Sequence, residues 1–310
     1  MASQTLAEAK KLINNQIVTG VVEDIISINP LYDLLPFNGY EGQGFIVNRE
    51  NALGDAGFYA VDATITHKAA ATFTNYTFAA TKIIGDAELD GLVAVTSQGA
   101  GVDQAAIEIS SKAKSVGRQF QTGMATGDAT GANMNSFHTL CDSGQFTTAS
   151  AGQALSFALL DELLDLVKAK DGQVDFIIMP ARTIRTYKVL LRALGGATIN
   201  EVVTLPSGQQ VIGYGGIPIF KNEYLSVTET ANGALLTTGA LTSVYAGCFD
   251  DGSNKLGVAA VHPVACPAGV MVEKIGAMET KDTQIFRVKQ YANFASFNRR
   301  ALARLTSINN

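Results

Sequence analysis

Charge is scarce in this chain. Asp, Glu, Lys and Arg together make up 16% of its 310 residues, against 47% hydrophobic. A surface so thinly charged is hard to keep soluble as a monomer, so partners are expected to cover much of it. The formal net charge is −5, which argues against tight binding to nucleic-acid phosphates. Cysteine is scarce too. Cys141, Cys248 and Cys266 are odd in number and lack any C-x-x-C spacing. They read as reduced, buried thiols from a cytosolic folding environment. The start, MASQTLAEAKKLINNQ, lacks the apolar core of a signal peptide. No apolar run approaches the roughly 20 residues that span a bilayer. The expectation is synthesis and folding in cytoplasm, without membrane contact.

Motifs that carry chemistry are also missing. The Gly-rich stretch MATGDATGANMNSFHTL follows a helical pattern, whereas a dinucleotide fingerprint must follow a strand and open a helix. A Walker loop needs four residues between its glycines and then a lysine. Here three residues separate Gly123 from Gly127, and Asp128 stands where the cation is needed. GYGGIPIF, residues 213–220, misses the dinucleotide spacing and contains Pro218. In GDAELDG, Asp86, Glu88, Asp90 and Gly91 imitate a calcium loop, but its twelfth position is Ser97 instead of a bidentate glutamate. A solvated acidic turn is expected there. His138 and Cys141 are half a zinc site with no second pair at suitable spacing, and His67 and His262 stand alone. No G-x-S-x-G elbow presents a serine. No catalytic, cofactor-binding or metal-binding residue is assigned, no cofactor is expected, and the chain does not read as an enzyme.

What is present is mixed α and β. Leu6, Ala9, Ile13, Ile17 and Val21 form a helix-spaced stripe that Asn29-Pro30 interrupts. From Gly44 to Thr81, strand-like residues flank a centre of little apolar content, which predicts a long two-stranded excursion needing a neighbour to lie on. Val102, Ala106, Ile109, Ala113, Val116, Phe120 and Met124 trace one face of a helix roughly 35 Å long, ended by Gly123 and Gly127. Glu108 and Lys112 form an i,i+4 pair on its other side. A polar linker over Asp142–Gln153 precedes a helix at Leu155–Lys170, a buried strand VDFIIM, and a second helix, ARTIRTYKVLLRAL, opened by Pro180. Strand candidates follow at 202–205, 210–212, 217–221, 256–261, 270–275 and 284–290, with a final segment at 297–308. The fold class is α+β, without the regular alternation of a doubly wound enzyme.

In order along the chain, these elements resemble the major capsid protein of tailed double-stranded DNA bacteriophages, the Hong-Kong-ninety-seven-like shell fold. TKIIGDAELDGL resembles the exit from that family's E-loop, and GRQFQTGMATGDATGANMNSFHTL the end of its spine helix. DFIIMPARTIRTYKVLLRALGG resembles the axial-domain strand and helix, and IGYGGIPIFKNEYL a glycine turn into a strand. SVYAGCFDDGSNKLGVAAVHPV resembles the return to the peripheral sheet. The resemblance implies an N-terminal arm (1–40), an E-loop (41–84), a peripheral domain with spine helix (85–149) and an axial domain (150–245). A return to the peripheral domain (246–296) and a C-terminal segment against the axial domain (297–310) complete it.

The function so implied is a structural subunit self-assembling as a homo-oligomer, in hexamers and pentamers, into an icosahedral phage head. That head would enclose double-stranded DNA without binding it tightly, after assembly in the host bacterial cytoplasm. Scaffolding, decoration and portal proteins are the family's usual partners. Because the sequence starts almost at the arm, scaffolding is expected to be separate, absent or already removed. Another relative cross-links an E-loop lysine to an asparagine on a neighbour. Here Lys68 and Lys82 lie in or near the loop and Asn293 and Asn298 late in the chain, but these are ordinary residues and no cross-link is expected. Two other readings stay open: an encapsulin-type bacterial compartment and a soluble α/β enzyme with a dispersed site.

Overall fold

The computed structural model describes residues 31–99, 103–142, 144–193, 202–230, 239–252 and 256–309. The N-terminal stripe and Val102 lie outside the described residues. A helical turn, α1 (Leu31–Leu34), leads into β1 (Phe37–Tyr40) and then a hairpin of β2 (Phe45–Ala52) and β3 (Thr72–Phe78). Next come β4 (Thr81–Asp90), α2 (Gly91–Gly99), the long α3 (Gln104–Thr126) and the short α4 (Phe137–Leu140).

The chain then builds β5 (Phe146–Gln153), α5 (Phe157–Leu166), β6 (Phe176–Met179) and α6 (Ala181–Ala193). Three short strands follow, β7 (Val202–Thr204), β8 (Gln210–Tyr214) and β9 (Ile217–Lys221), and then β10 (Thr242–Gly247). The chain finishes with β11 (Val258–Pro263), β12 (Met271–Ala277), β13 (Thr283–Ser296) and β14 (Leu302–Ile308).

Two sheets carry the fold. In the first, β13 pairs antiparallel with β12, β4 and β11, and β11 pairs in parallel with β1. The second runs in the order β5-β14-β10-β6-β9-β8-β7. The chain crosses from one to the other between β13 and β14. Every residue of β14 is buried, and it lies between β5 and β10 as an interior strand. Phe137 joins the two layers: its ring centroid lies 4.7 Å from Phe294 in the first sheet and 5.7 Å from Tyr245 in the second.

The periodic stripe forms α3, which packs on β4 and β13. Asp103 caps its start by accepting from the Ala106 N–H at 3.1 Å. Val116, Phe120 and Met124 are buried, each a gain of about 1.5–3 kcal/mol. The amino-terminal half differs from expectation: Ile109 and Ala113 are half-buried and Ala106 is exposed. Gly123 does not end the helix either. It lies inside α3, where an added Cβ would come 2.4 Å from Met134 Sδ, so the buried Met134 takes the space a side chain would fill. Gly127 is the C-cap, and its N–H donates to Gly123 O at 2.7 Å.

Three other expectations are corrected. GDAELDG is no turn; it is the second half of β4 and runs into α2, with Ala87 and Leu89 buried and Asp86 paired to Arg287 on β13. The acidic residues hid its alternation. The polar linker contains β5, an edge strand held by parallel backbone pairing with β14. The helix expected to reach Lys170 stops at Leu166, and a 3-10 turn, Ala169–Gly172, follows with Lys170, Asp171 and Gly172 all at positive φ.

Candidate assembly surfaces

The β2–β3 hairpin projects from the first sheet and has almost no core of its own. Its strands pair from Phe45 opposite Phe78 out to Ala52 opposite Thr72. At the base, Phe45 stacks on Phe297 at 4.6 Å, and Phe78 meets the same ring edge-on at 6.2 Å. Arg49 clamps the base to the crossing segment, donating to Phe297 O at 3.1 Å and also to Ser296 O. Its guanidinium lies 4.3 Å from the Tyr76 ring centroid. Burial lowers the Arg49 pKa from its ordinary value. Asn293 fastens the other strand's exit, donating to Ala79 O at 2.7 Å.

Beyond the base the apolar side chains face solvent. Leu53 is 78% exposed, Val61 95%, and Phe58 fully. Yet the tip is ordered by local bonds. The Tyr59 hydroxyl accepts the Thr66 and His67 N–H groups at 2.9 and 2.7 Å and lies 2.6 Å from His67 Nδ1. Asp55 accepts from the Ala69 N–H at 2.5 Å and donates its own N–H to Ala69 O. A held shape with unburied apolar side chains is what a contact with another surface requires. His67, a lone histidine in the sequence, is part of that scaffold.

The other residues singled out in the sequence serve local structure. Asp86 receives both Arg287 donors, at 2.8 and 2.9 Å, which lowers its pKa. Asp128 accepts from the Thr130 hydroxyl and N–H and from Asn133, and these bonds bring its pKa down to about 2. It shapes the chain reversal after α3, where Gly131 takes φ +60. Ser136 caps α4 and also donates to Gly127 O at 2.5 Å, so the reversal is tied at both ends. Cys141 donates to Gln145 O and Leu302 O, and burial pushes its thiol up to about 12. His262 Nδ1 lies 3.0 Å from both Pro263 O and Cys266 O. Among the described residues, no three His, Cys, Asp or Glu side chains converge as metal ligands would.

Sequence reasoning missed one buried polar group. Arg304, on β14, reaches Glu229 at 3.2 Å and the Ser243 hydroxyl at 3.0 Å, with both charged side chains 2% exposed. Burial pushes the Glu229 carboxyl above its ordinary range, against the pull of Arg304 and Ser243. Removing one partner of such a pair costs about 3–5 kcal/mol. The partners are 75 residues apart and no local spacing announces them.

No family model and no curated protein matches this sequence. Solved structures do. The holo-SrpI encapsulin complex from Synechococcus elongatus is 17% identical, with 100% of this chain and 97% of that one covered and a TM-score of 0.72. The capsid asymmetric unit of cyanophage A-1(L) is 12% identical over 99% of this chain and 100% of that one, with a TM-score of 0.70. The capsid of a native GTA particle is 13% identical over 99% of each chain, with a TM-score of 0.67. At these identities the likeness shows the fold, and the fold is the Hong-Kong-ninety-seven-like shell fold.

Proposed function

We propose that this chain is the structural subunit of an icosahedral phage head, assembling into hexamers and pentamers around double-stranded DNA. The observation that carries the proposal is the β2–β3 hairpin. It is clamped at its base and ordered at its tip, and its large apolar side chains are left uncovered. A lone subunit gains nothing from that arrangement, whereas a neighbour lying under the hairpin would bury those side chains. A net charge of −5 fits a container that must release its genome, since a strongly basic lining would retain it. On this reading the chain divides into arm, E-loop, peripheral and axial domains near the boundaries given above, and its role is structural, not catalytic. Host cytoplasm is the place of assembly, with scaffolding, decoration and portal proteins as partners.

A second reading, an encapsulin-type compartment, draws support from the TM-score of 0.72 to the SrpI complex. Negative-stain imaging of the purified protein is the test, with closed symmetric particles expected. Monodisperse subunits under every assembly condition would overturn both readings. Analysis of the particle contents separates the two, because packaged DNA supports the phage head and a single enriched protein cargo supports the compartment.

A further inference from the structure

Helices α5 and α6 are neighbours in the axial domain. The Phe157 ring at the start of α5 meets Tyr187 of α6 edge-on at 6.1 Å, and Tyr214 packs against both at 6.0 and 6.2 Å. Each helix turns its apolar residues inward, Leu160 and Leu163 from α5 and Tyr187 and Leu191 from α6. Their outward faces are opposite in charge. On α5, Asp161, Glu162 and Asp165 are exposed, and the helix has no cation. On α6, Arg185, Lys188 and Arg192 are exposed, and the helix has no anion. In a chain with so few charges, this is a marked segregation.

The two rows do not satisfy each other within the subunit. Among the described residues, no ion pair joins them, and Glu162, Asp165, Arg185, Lys188 and Arg192 take part in none. Asp161 accepts from the Tyr214 hydroxyl, and Arg182 is turned aside onto Ala240 O and Val227 O. Within each row, like charges also face one another. Asp161 and Asp165 are like charges at i,i+4, as are Lys188 and Arg192, while Arg185 and Lys188 repel at i,i+3. Asp165 also sits in the last turn, where the helix dipole disfavours an anion. Arg192 is favoured by its place in the last turn of α6, but the like-charge spacings within each row are a local disadvantage that an oppositely charged neighbour removes.

We infer that the acidic row of α5 docks against the basic row of α6 on a second copy of this chain. A partner with only one kind of charge satisfies one row; another copy carries both. Repeated head to tail, the contact gives every copy the same pair of neighbours, and under the hexamer and pentamer symmetry of the shell reading it closes into a ring. Complementary rows also fix register and disfavour misdocked neighbours. The inference rests on the shell reading above and assigns it a ring-forming contact.

The test uses two charge-reversed full-length chains: E162K/D165K, and R185E/K188E/R192E. Asp161 and Arg182 are kept because they bond within the subunit. Each variant alone is expected to melt as the wild type does and to lose the particle peak in size-exclusion chromatography. A chain carrying all five substitutions is expected to recover closed particles. An equimolar mixture of the two variants should form six-membered rings of alternating copies but no closed shells, because a five-membered ring cannot alternate.

Closed shells from either variant alone would overturn the contact while leaving the shell reading intact. So would an R185E/K188E/R192E shell that closes but lacks DNA, which would make α6 a nucleic-acid surface. A folded five-substitution chain that stays unassembled, or a mixture that stops at mixed dimers, also overturns head-to-tail docking. If a reversed chain does not fold, the Gln and Asn versions of the same positions take its place with the same expected loss. A wild-type protein that never forms particles would instead bring down the shell reading itself.

Discussion

His138 lies half-buried on α4, where burial and then the nearby Arg304 guanidinium bring its pKa down to about 4. The fold therefore favours the neutral ring, while the unfolded chain takes up its proton near the ordinary histidine value of about 6.5. Between those two values the unfolded state binds more protons, so stability contributed by this ring is present above about pH 6.5 and is lost as pH falls toward 4. Asp128 and Asp86, whose pKa values are lowered by their hydrogen bonds, lose their contributions only below the ordinary carboxylate range. The two effects occupy separate windows. Urea unfolding at several values between about pH 7 and pH 4 should show wild-type stability falling more steeply than that of His138→Gln. Equal slopes would mean that the ring is hydrated in the folded protein. Neither the shift nor its cause was legible beforehand, because Arg304 stands far along the chain and the sequence shows only a histidine and a cysteine three residues apart.

Periodicity revealed α3, α6 and the buried strand β6, since each is a local pattern with its own apolar face. It concealed elements whose partners are distant. Strand β5 looked like a linker because backbone pairing with β14 holds it, with little apolar content of its own. The second half of β4 looked like a turn because Asp86 finds Arg287 201 residues later. The need of the Gly44–Thr81 segment for a neighbour could be read from composition; the clamp of Arg49 onto Ser296 and Phe297 could not. Glycines in α3 show the same limit. Gly117 faces open space, so Gly117→Ala should stabilise the subunit by about 0.5–1 kcal/mol through helix propensity alone. At Gly127 an added Cβ would stand 2.3 Å from Met134 O, a backbone atom that cannot rotate away. Gly127→Ala should therefore lower stability by about 1–3 kcal/mol, in the range of overpacked sites. Thermal and chemical unfolding of the two variants checks the pair. Destabilisation by the first or tolerance of the second would mean that the end of the helix is packed differently.

For the whole molecule, the proposed function divides folding from assembly at the base of the hairpin. Phe45, Phe78 and Arg49 belong to the subunit, because they close over Phe297 and the carbonyls of the segment joining the two sheets. Removing everything from Asn48 to Ala79 would strip away Arg49 and Phe78 and uncover Phe297, confusing loss of folding with loss of assembly. A cut farther out separates them. Residues 53–71, which join β2 to β3, contribute nothing to the hydrophobic core clusters, and Leu53, Phe58, Val61 and Ile65 among them are all largely exposed. Replacing Leu53–Ala71 with a short Gly-Ser bridge keeps the clamp, so the subunit should melt cooperatively within a few degrees of wild type, as expected when less than about 1 kcal/mol is lost. The same variant should form no closed particles, because the apolar tip that would be buried against a neighbour is gone. Size-exclusion chromatography and thermal melting of one preparation report both outcomes together. Normal particles from the shortened chain would show that the tip is dispensable for assembly. A molten or aggregated product would show that the tip supports the subunit's own fold, and the hairpin could no longer be assigned to contacts between copies.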